Sequence, residues 1–451
     1  MATVWERVHG SREALIVVVL VSIYTALQSL FLRPKTSTLS ATDLKTILSS
    51  AWCLSHRINA YDPANIRAVY RAAGFMLPET WFGHAAVYPP VTLVLLSPFT
   101  WIPTSIALFL LFGIWSVFLV VAVNALMRYA GTQFHLNSPD RFLLAFVFLC
   151  SPYLMALIAL GNLGAPAVCL AICGFVLRGN RSPWPAAVAL GFALALKPHV
   201  AFWVLVPLLL LPSARSRKVA LRSLAVLAGL ILLTLFDLAL THQLWLQMHA
   251  YRSILLSETS GDSSMSPATR EISSLTVQIT SLKSLVGFWH ALGFFASLMC
   301  DLAIVACAGA SVILTRKAKN ESQALLSATM WIALGLVATY HRAYDGMMLC
   351  LALPVVFAKL MNHAQRWKGI ALTVFLLAMS FGPAGLTVFA LTDGGQSHSL
   401  ASFLLMRQAA LVDSSLALFL LFLLWREIQG EPTSEWLRPL DAGRPGTPAG
   451  S

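Results

Sequence analysis

Long apolar runs recur from one end of this sequence to the other, at residues 15–32, 106–127, 221–240, 302–314, 349–360 and 416–424 with its flanks. A bilayer-crossing helix needs about 20 mostly apolar residues. In hydrocarbon only helices and closed barrels satisfy every backbone polar group. The runs are continuous rather than alternating, which excludes a barrel. The sequence therefore predicts an all-α polytopic membrane protein. Apolar residues make up 58% of the chain and charged residues 11%, so each carboxylate calls for a reason.

A net charge of +12 could suggest nucleic acid. The positions of the basic residues argue against it, since they gather in short loops between apolar runs: Arg215, Arg217, Lys218 and Arg222; Arg316, Lys317 and Lys319; Arg366 and Lys368. This is the positive-inside pattern of membrane proteins, and it predicts contact with lipid headgroups and no nucleic-acid partner. Six of seven cysteines fall within predicted spans and only Cys53 in a loop, with no metal spacing and no disulfide framework. The run at 15–32 is long for a cleaved signal, and Leu32-Arg33-Pro34 is no small-residue cleavage site, so it reads as a retained first span.

The basic loops set an expected orientation. Arg7 and Arg12 place the N-terminus inside, which puts 34–86 outside as a first external loop and 241–283 outside as a second. Two short spans meet at an outer turn, Lys197-Pro198-His199. About 13 apolar segments are present, yet both termini read as inside, so about 12 cross. The segment at 87–101, short and holding Pro89, Pro90 and Pro98, is expected not to cross fully. The transmembrane domain is expected over 1–426, followed by a disordered tail at 427–451 rich in Pro, Gly and charge.

The first external loop carries a pattern. Leu44, Ile47, Leu48, Ala51 and Leu54 recur at helical spacing, predicting an amphipathic helix over 43–57 on the membrane surface. Thr42 can cap it, with Asp43 favoured in its first turn by the helix dipole. A second short helix is expected over 63–73.

Polar residues near the expected outer face form one constellation. Asp43, Asp62 and Asp345 supply carboxylates. His341, Arg342, His199 and Lys197 supply cationic or titratable groups. Tyr61, Tyr88, Tyr340 and Tyr344 supply amphipathic rings, and Asn162 an amide. Each has a plainer reading. Asp43 suits a helix start, Asp62 a turn or helix cap, Asn162 a turn, Lys197 snorkelling, and the Tyr340–Asp345 stretch an interface belt. Gly-rich phosphate loops, dinucleotide fingerprints and serine elbows are lacking from the sequence, so an activated donor is expected to be a membrane lipid. Glycosyl transfer from a lipid phosphate needs a carboxylate to take a proton from the acceptor hydroxyl and cations to stabilise the departing phosphate. A lipid-linked sugar transporter or flippase is the alternative, and Asp237 and Asp301, which lie within apolar runs, would be its sensitive positions. A non-catalytic subunit of an envelope-assembly complex is a third.

Four stretches resemble glycosyltransferase family 87, the polyprenol-phosphate-mannose-dependent mannosyltransferases of the GT-C fold. They are Asp43 followed by a helix and Tyr61-Asp62-Pro63; Tyr88-Pro89-Pro90 followed by Pro98 and Pro103; Gly161-Asn162 followed by Lys197-Pro198; and the late loop from Tyr340 to Asp345. The resemblance implies a GT-C bundle in the cytoplasmic membrane that transfers a sugar, commonly mannose, from a polyprenyl phosphate with inversion. The acceptor would be an envelope glycan or glycolipid at the external, periplasmic face, and no cofactor or metal is implied. Asp43 matches the family's catalytic base, and His341 looks like its late-loop histidine near the donor phosphate. Arg342 and Lys197 join His341 as expected phosphate holders. The sequence departs from the family pattern at Arg57-Ile58-Asn59-Ala60, which lacks a glycine, and in the polar insert at 257–274.

Overall fold

A computed structural model describes residues 41–75, 87–259, 282–283, 293–339, 343–362, 365–380 and 408–430. Every regular element among them is helical. In chain order these are α1 (Thr42–Ser55), α2 (Pro63–Ala72), α3 (Pro90–Leu96) with a 3-10 turn (Ser97–Trp101), α4 (Thr104–Gln133), α5 (Ser138–Leu149), α6 (Pro152–Leu160) and α7 (Gly164–Val176). There follow α8 (Trp184–Leu196), α9 (Pro198–Leu210), α10 (Ala214–Leu240), α11 (Leu244–Thr259), α12 (Gly293–Lys317) and α13 (Glu321–Ala338). A 3-10 helix (Ala343–Ala352), α14 (Leu353–Met361), α15 (Arg366–Ser380) and α16 (Gln408–Ile428) complete the series.

Among the described residues, five helices are long and apolar enough to cross a membrane: α4, α10, α12, α13 and α16. The runs expected at 106–127, 221–240, 302–314 and 416–424 lie within four of them. The run at 349–360 is instead broken between the 3-10 helix and α14, where Pro354 falls in the first turn. The run at 15–32 lies outside the described residues.

Burial separates the helices by role. α13 is enclosed on all sides, every residue from Gln323 to Val337 being buried, as expected of a helix apolar all round. It packs against α9, α12 and α16. α4 instead keeps large apolar side chains outward, among them Phe109, Val117 and Val120, a surface suited to lipid. The segment from Pro90 to Trp101 is 3-10 in its second half. At about 1.5 Å per helical residue it falls well short of a hydrocarbon core of about 30 Å.

The basic loops gather at one end of the bundle. Arg178 pairs there with Glu321, whose carboxylate also accepts from Tyr129 Oη at 2.7 Å. Arg215 donates to the Gly179 carbonyl. Lys359 forms a buried ion pair with Glu427, and Gln323 donates to the Glu427 carbonyl. α16 therefore carries Glu427 and ends at Ile428, two residues beyond the expected end of the transmembrane domain at 426.

The helix expected over 43–57 is α1, but its setting differs. Leu44, Ile47, Leu48, Ala51 and Leu54 are buried against α3, the start of α4 and Leu163 rather than turned to lipid. Burying such a side chain from water is worth about 1.5–3 kcal/mol, so α1 is docked into the bundle mouth. Thr42 does not cap it. The residue before the helix is Ala41, left-handed at φ 59°, and Thr42 is the first helical residue, with no side-chain cap. α2 matches its expected range within a residue. α11 occupies part of the stretch expected to be a polar external loop.

Candidate active site

The mouth of the bundle is built around one chain crossing. α6 ends on Gly161, left-handed at φ 64°. The Gly161 amide donates to the Ile158 carbonyl and the Asn162 amide to that of Leu157, a Schellman ending in which glycine supplies the left-handed residue without steric penalty. A Cβ at Gly161 would lie 2.8 Å from Leu44 Cβ and 2.9 Å from Ala41 Cα. The start of α1 thus rests directly on this turn, and Ala41 N–H donates to the Ala159 carbonyl at 2.8 Å. The contact sets Asp43 against Asn162.

Asn162 Nδ2 donates to Asp43 Oδ2 at 2.6 Å. Asn162 Oδ1 accepts from the Gly164 amide at 2.8 Å and from Lys197 Nζ at 3.1 Å. The amide orientation follows from this chemistry: two donors meet its oxygen and a carboxylate meets its nitrogen, and a flipped amide would face like against like at both ends. Gly164 makes the arrangement possible, because a Cβ there would stand 2.9 Å from Asn162 Oδ1 and 3.0 Å from Lys197 Nζ.

Lys197 owes its place to Pro198. A residue before proline is disfavoured in the α region, and Lys197 is extended at φ −150°, ψ 80°, ending α8 while α9 restarts at Pro198. The break leaves carbonyls of the last turn without helical donors. Thr92 of α3, fully buried, donates its hydroxyl to the Ala195 carbonyl at 2.7 Å. Lys197 Nζ reaches Asp345 Oδ1 at 2.5 Å, and both side chains are only 5% exposed. Asp345 lies in the opening turn of the 3-10 helix.

Four of the residues singled out in the sequence, Asp43, Asn162, Lys197 and Asp345, are therefore joined in one hydrogen-bonded series across four separate stretches of chain. Asp43, at its end, is partly exposed; the other three are buried. The remaining candidates divide. Asp62 Oδ1 accepts from the Ala64 amide at 2.9 Å and caps α2. Tyr61 Oη donates to the Tyr88 carbonyl at 2.9 Å, and burial pushes its pKa well above the ordinary phenol value, so it acts as a neutral donor. His199 is exposed in the first turn of α9. Tyr340, His341, Arg342, the side chain of Tyr344 and the polar insert at 260–274 lie outside the described residues.

Other residues of this region carry no sequence signal strong enough to mark them. Gln247 of α11, fully buried, accepts from the Ala60 amide at 3.1 Å and donates to the Ile58 carbonyl at 2.8 Å, clamping the turn before Tyr61. Asp413 in α16 is wholly enclosed, and among the described residues neither of its carboxylate oxygens finds a hydrogen-bond partner. The two acids expected of a transporter stand elsewhere. Asp237 is exposed near the end of α10, and Asp301 pairs with Lys283 at 2.8 Å while half exposed. On the flank of α1, a cavity of about 500 Å³ opens between Ser49, Trp52, Asn65, Val69, Phe99 and Thr104.

A family model described as Glycosyltransferase family 87 matches residues 86–340, more than half of the chain. No curated protein matches it. The matched stretch holds Tyr88, Asn162 and Lys197 but neither Asp43 nor Asp345, which join it through the hydrogen bonds just described.

Proposed function

The chain belongs to glycosyltransferase family 87, and from that premise we propose that it moves a hexose, mannose in the first instance, from a polyprenyl-phosphate donor to the hydroxyl of an envelope glycan or glycolipid. Asp43 is the general base. It takes the acceptor's proton as the acceptor oxygen attacks the anomeric carbon. The bond from that carbon to the phosphate oxygen breaks on the opposite face, and polyprenyl phosphate leaves with inversion. His341 and Arg342 stabilise the charge that develops on the phosphate. The observation that carries the reading is the Asn162–Asp43 hydrogen bond, which fixes a partly exposed carboxylate on the family-matched turn.

The fold in this reading is a GT-C bundle of about 12 crossings in the cytoplasmic membrane. The end rich in basic loops faces inward, as the positive-inside rule requires, and the Asp43 end faces the periplasm. The apolar cavity beside α1 favours a glycolipid among the possible acceptors. Its size is that of a ligand pocket, and Ser49 on its wall is about 9 Å along the helix from Asp43.

The test is sugar transfer by purified protein in lipid nanodiscs, from labelled polyprenyl-phosphate mannose to an envelope glycolipid extract. Wild type is expected to transfer, and Asp43→Asn, folded by thermal melt and gel filtration, to lose at least about a hundredfold in kcat, the usual scale of general-base catalysis. Equal transfer by both would remove Asp43 from the chemistry. Transfer from a nucleotide sugar alone would replace the donor.

A further inference from the structure

We infer that Asn162, Lys197 and Asp345 are positioning residues for Asp43, with Asn162 a neutral spacer that holds the carboxylate while keeping the Lys197 charge one residue away from it. The inference rests on reading Asp43 as the base. It gives Lys197 a task other than gripping the donor phosphate.

Three observations carry it. The bonds run in an unbroken series, Asp345 to Lys197 at 2.5 Å, Lys197 to Asn162 at 3.1 Å and Asn162 to Asp43 at 2.6 Å. Every member except the base is buried. The ammonium of Lys197 meets the carboxylate of Asp345, and the group between Lys197 and Asp43 is an uncharged amide.

The order of these groups matters chemically. A carboxylate in direct contact with an ammonium group is held in its ionised form and becomes a weaker base. An amide between them passes on geometry through its hydrogen bonds without passing on a full charge. Asp345 on the far side of Lys197 weakens the field of the ammonium at Asp43 further. Gly164 leaves the space in which Lys197 meets the amide oxygen.

Other titratable groups stand on the elements around Asp43. Its own helix carries Lys45. Asp62 caps α2, which carries Arg67, Tyr70 and Arg71; α6 carries Tyr153, and His199 follows Pro198 in α9.

The experiment is the pH profile of kcat, with KM for the donor, for five proteins in nanodiscs: wild type, Asp43→Asn, Asn162→Asp, Asp345→Asn and Lys197→Met. Asn162→Asp is nearly isosteric and keeps an oxygen for Lys197 and Gly164, but it sets a second negative charge against Asp43. The carboxylate form of Asp43 is disfavoured, its pKa rises, and the acid limb is expected to move up by about one pH unit. Asp345→Asn removes the negative charge that faces Lys197, which favours the carboxylate form of Asp43, moves the acid limb down and lowers the plateau. Lys197→Met is expected to lower kcat roughly tenfold or more at nearly unchanged donor KM, the scale of a lost charge-assisted hydrogen bond.

A raised donor KM with unchanged kcat and pH profile in Lys197→Met would overturn the inference and return Lys197 to the phosphate. So would an acid limb in Asn162→Asp that coincides with wild type. If Lys197→Met does not fold, the near-isosteric Asn162→Asp still decides. Undiminished transfer by Asp43→Asn would sink the base itself. Loss of transfer there, with unshifted limbs in the other variants, would sink only the positioning role.

Discussion

Gly161 governs whether the acid at position 43 meets the amide at position 162. Gly161 combines a left-handed backbone with a Cβ position 2.9 Å from the backbone of Ala41. An L-residue pays about 1–2 kcal/mol for the left-handed conformation alone, and here backbone rather than a flexible side chain stands in the way. Gly161→Ala is therefore expected to lower the melting temperature and to reduce transfer by more than the lost stability explains, because relief comes from lifting α1 and Asp43 off the turn. Gly113→Ala in α4 is the control: its Cβ position is open within 4 Å, and alanine in a helix is the better former by about 1 kcal/mol. Equal transfer per folded molecule in the two variants would show that the turn does not position the base. At this scale much of the site was readable beforehand. Asp43, Asn162, Lys197 and Asp345 stand out because ionisable and amide groups are rare beside apolar runs and each needs an explanation. What could not be read is who touches whom. Lys197 looks equally suited to phosphate or to snorkelling until Asp345, 148 residues away, is seen beside it. Thr92 reads as a small packing residue, and its role appears only because Pro198 strips a donor from a helix that packs against α3.

Among the elements, the long helices follow from composition and the short ones do not. α4, α10, α12, α13 and α16 satisfy a simple length-and-hydropathy rule. α8 and α9, 13 residues each, were expected as two short pieces only because Lys197-Pro198 interrupts them. α11 was read as loop because its apolar residues are mixed with Gln, His and Arg, which obscures a helical face. Its function in the fold is concentrated at Gln247, the one side chain that partners both the Ala60 amide and the Ile58 carbonyl. Gln247→Leu fills nearly the same volume but leaves both backbone groups without their partner, at a cost of about 1–3 kcal/mol for each buried group not rescued by water. The expected result is a lower melting temperature and faster tryptic cleavage at Arg57, in the turn that Gln247 braces. A cleavage rate matching wild type would mean that α11 does not hold this turn closed.

At the scale of the whole molecule, buried polar networks close the bundle at both ends, and α13 runs between them. Glu321 at its start meets Arg178 and Tyr129, and the chain beyond its end leads to Asp345 beside Lys197. Its 18 residues span about 27 Å, close to the thickness of a hydrocarbon core. The networks differ in what they contribute. The Asp43 series ends on a partly exposed group, as a reacting site must. The Lys359–Glu427 pair is enclosed, with Gln365 also accepting from Lys359 at 3.0 Å and Ser322 donating to Glu427 at 3.2 Å. Removing one partner of such a pair strands the other charge, at a cost of about 3–5 kcal/mol, whereas replacing both by apolar groups of similar volume is often neutral or stabilising. Lys359→Met and Glu427→Leu are thus each expected to lower the melting temperature sharply, and the double variant to recover most of the loss. Because α13 separates this pair from Asp43 by about the width of the bilayer core, transfer per folded molecule should match wild type in all three. Additive losses in the double variant would mean that the pair stabilises through its hydrogen-bond partners rather than through mutual compensation. A fall in kcat with folding intact would mean that the two ends are coupled through α13.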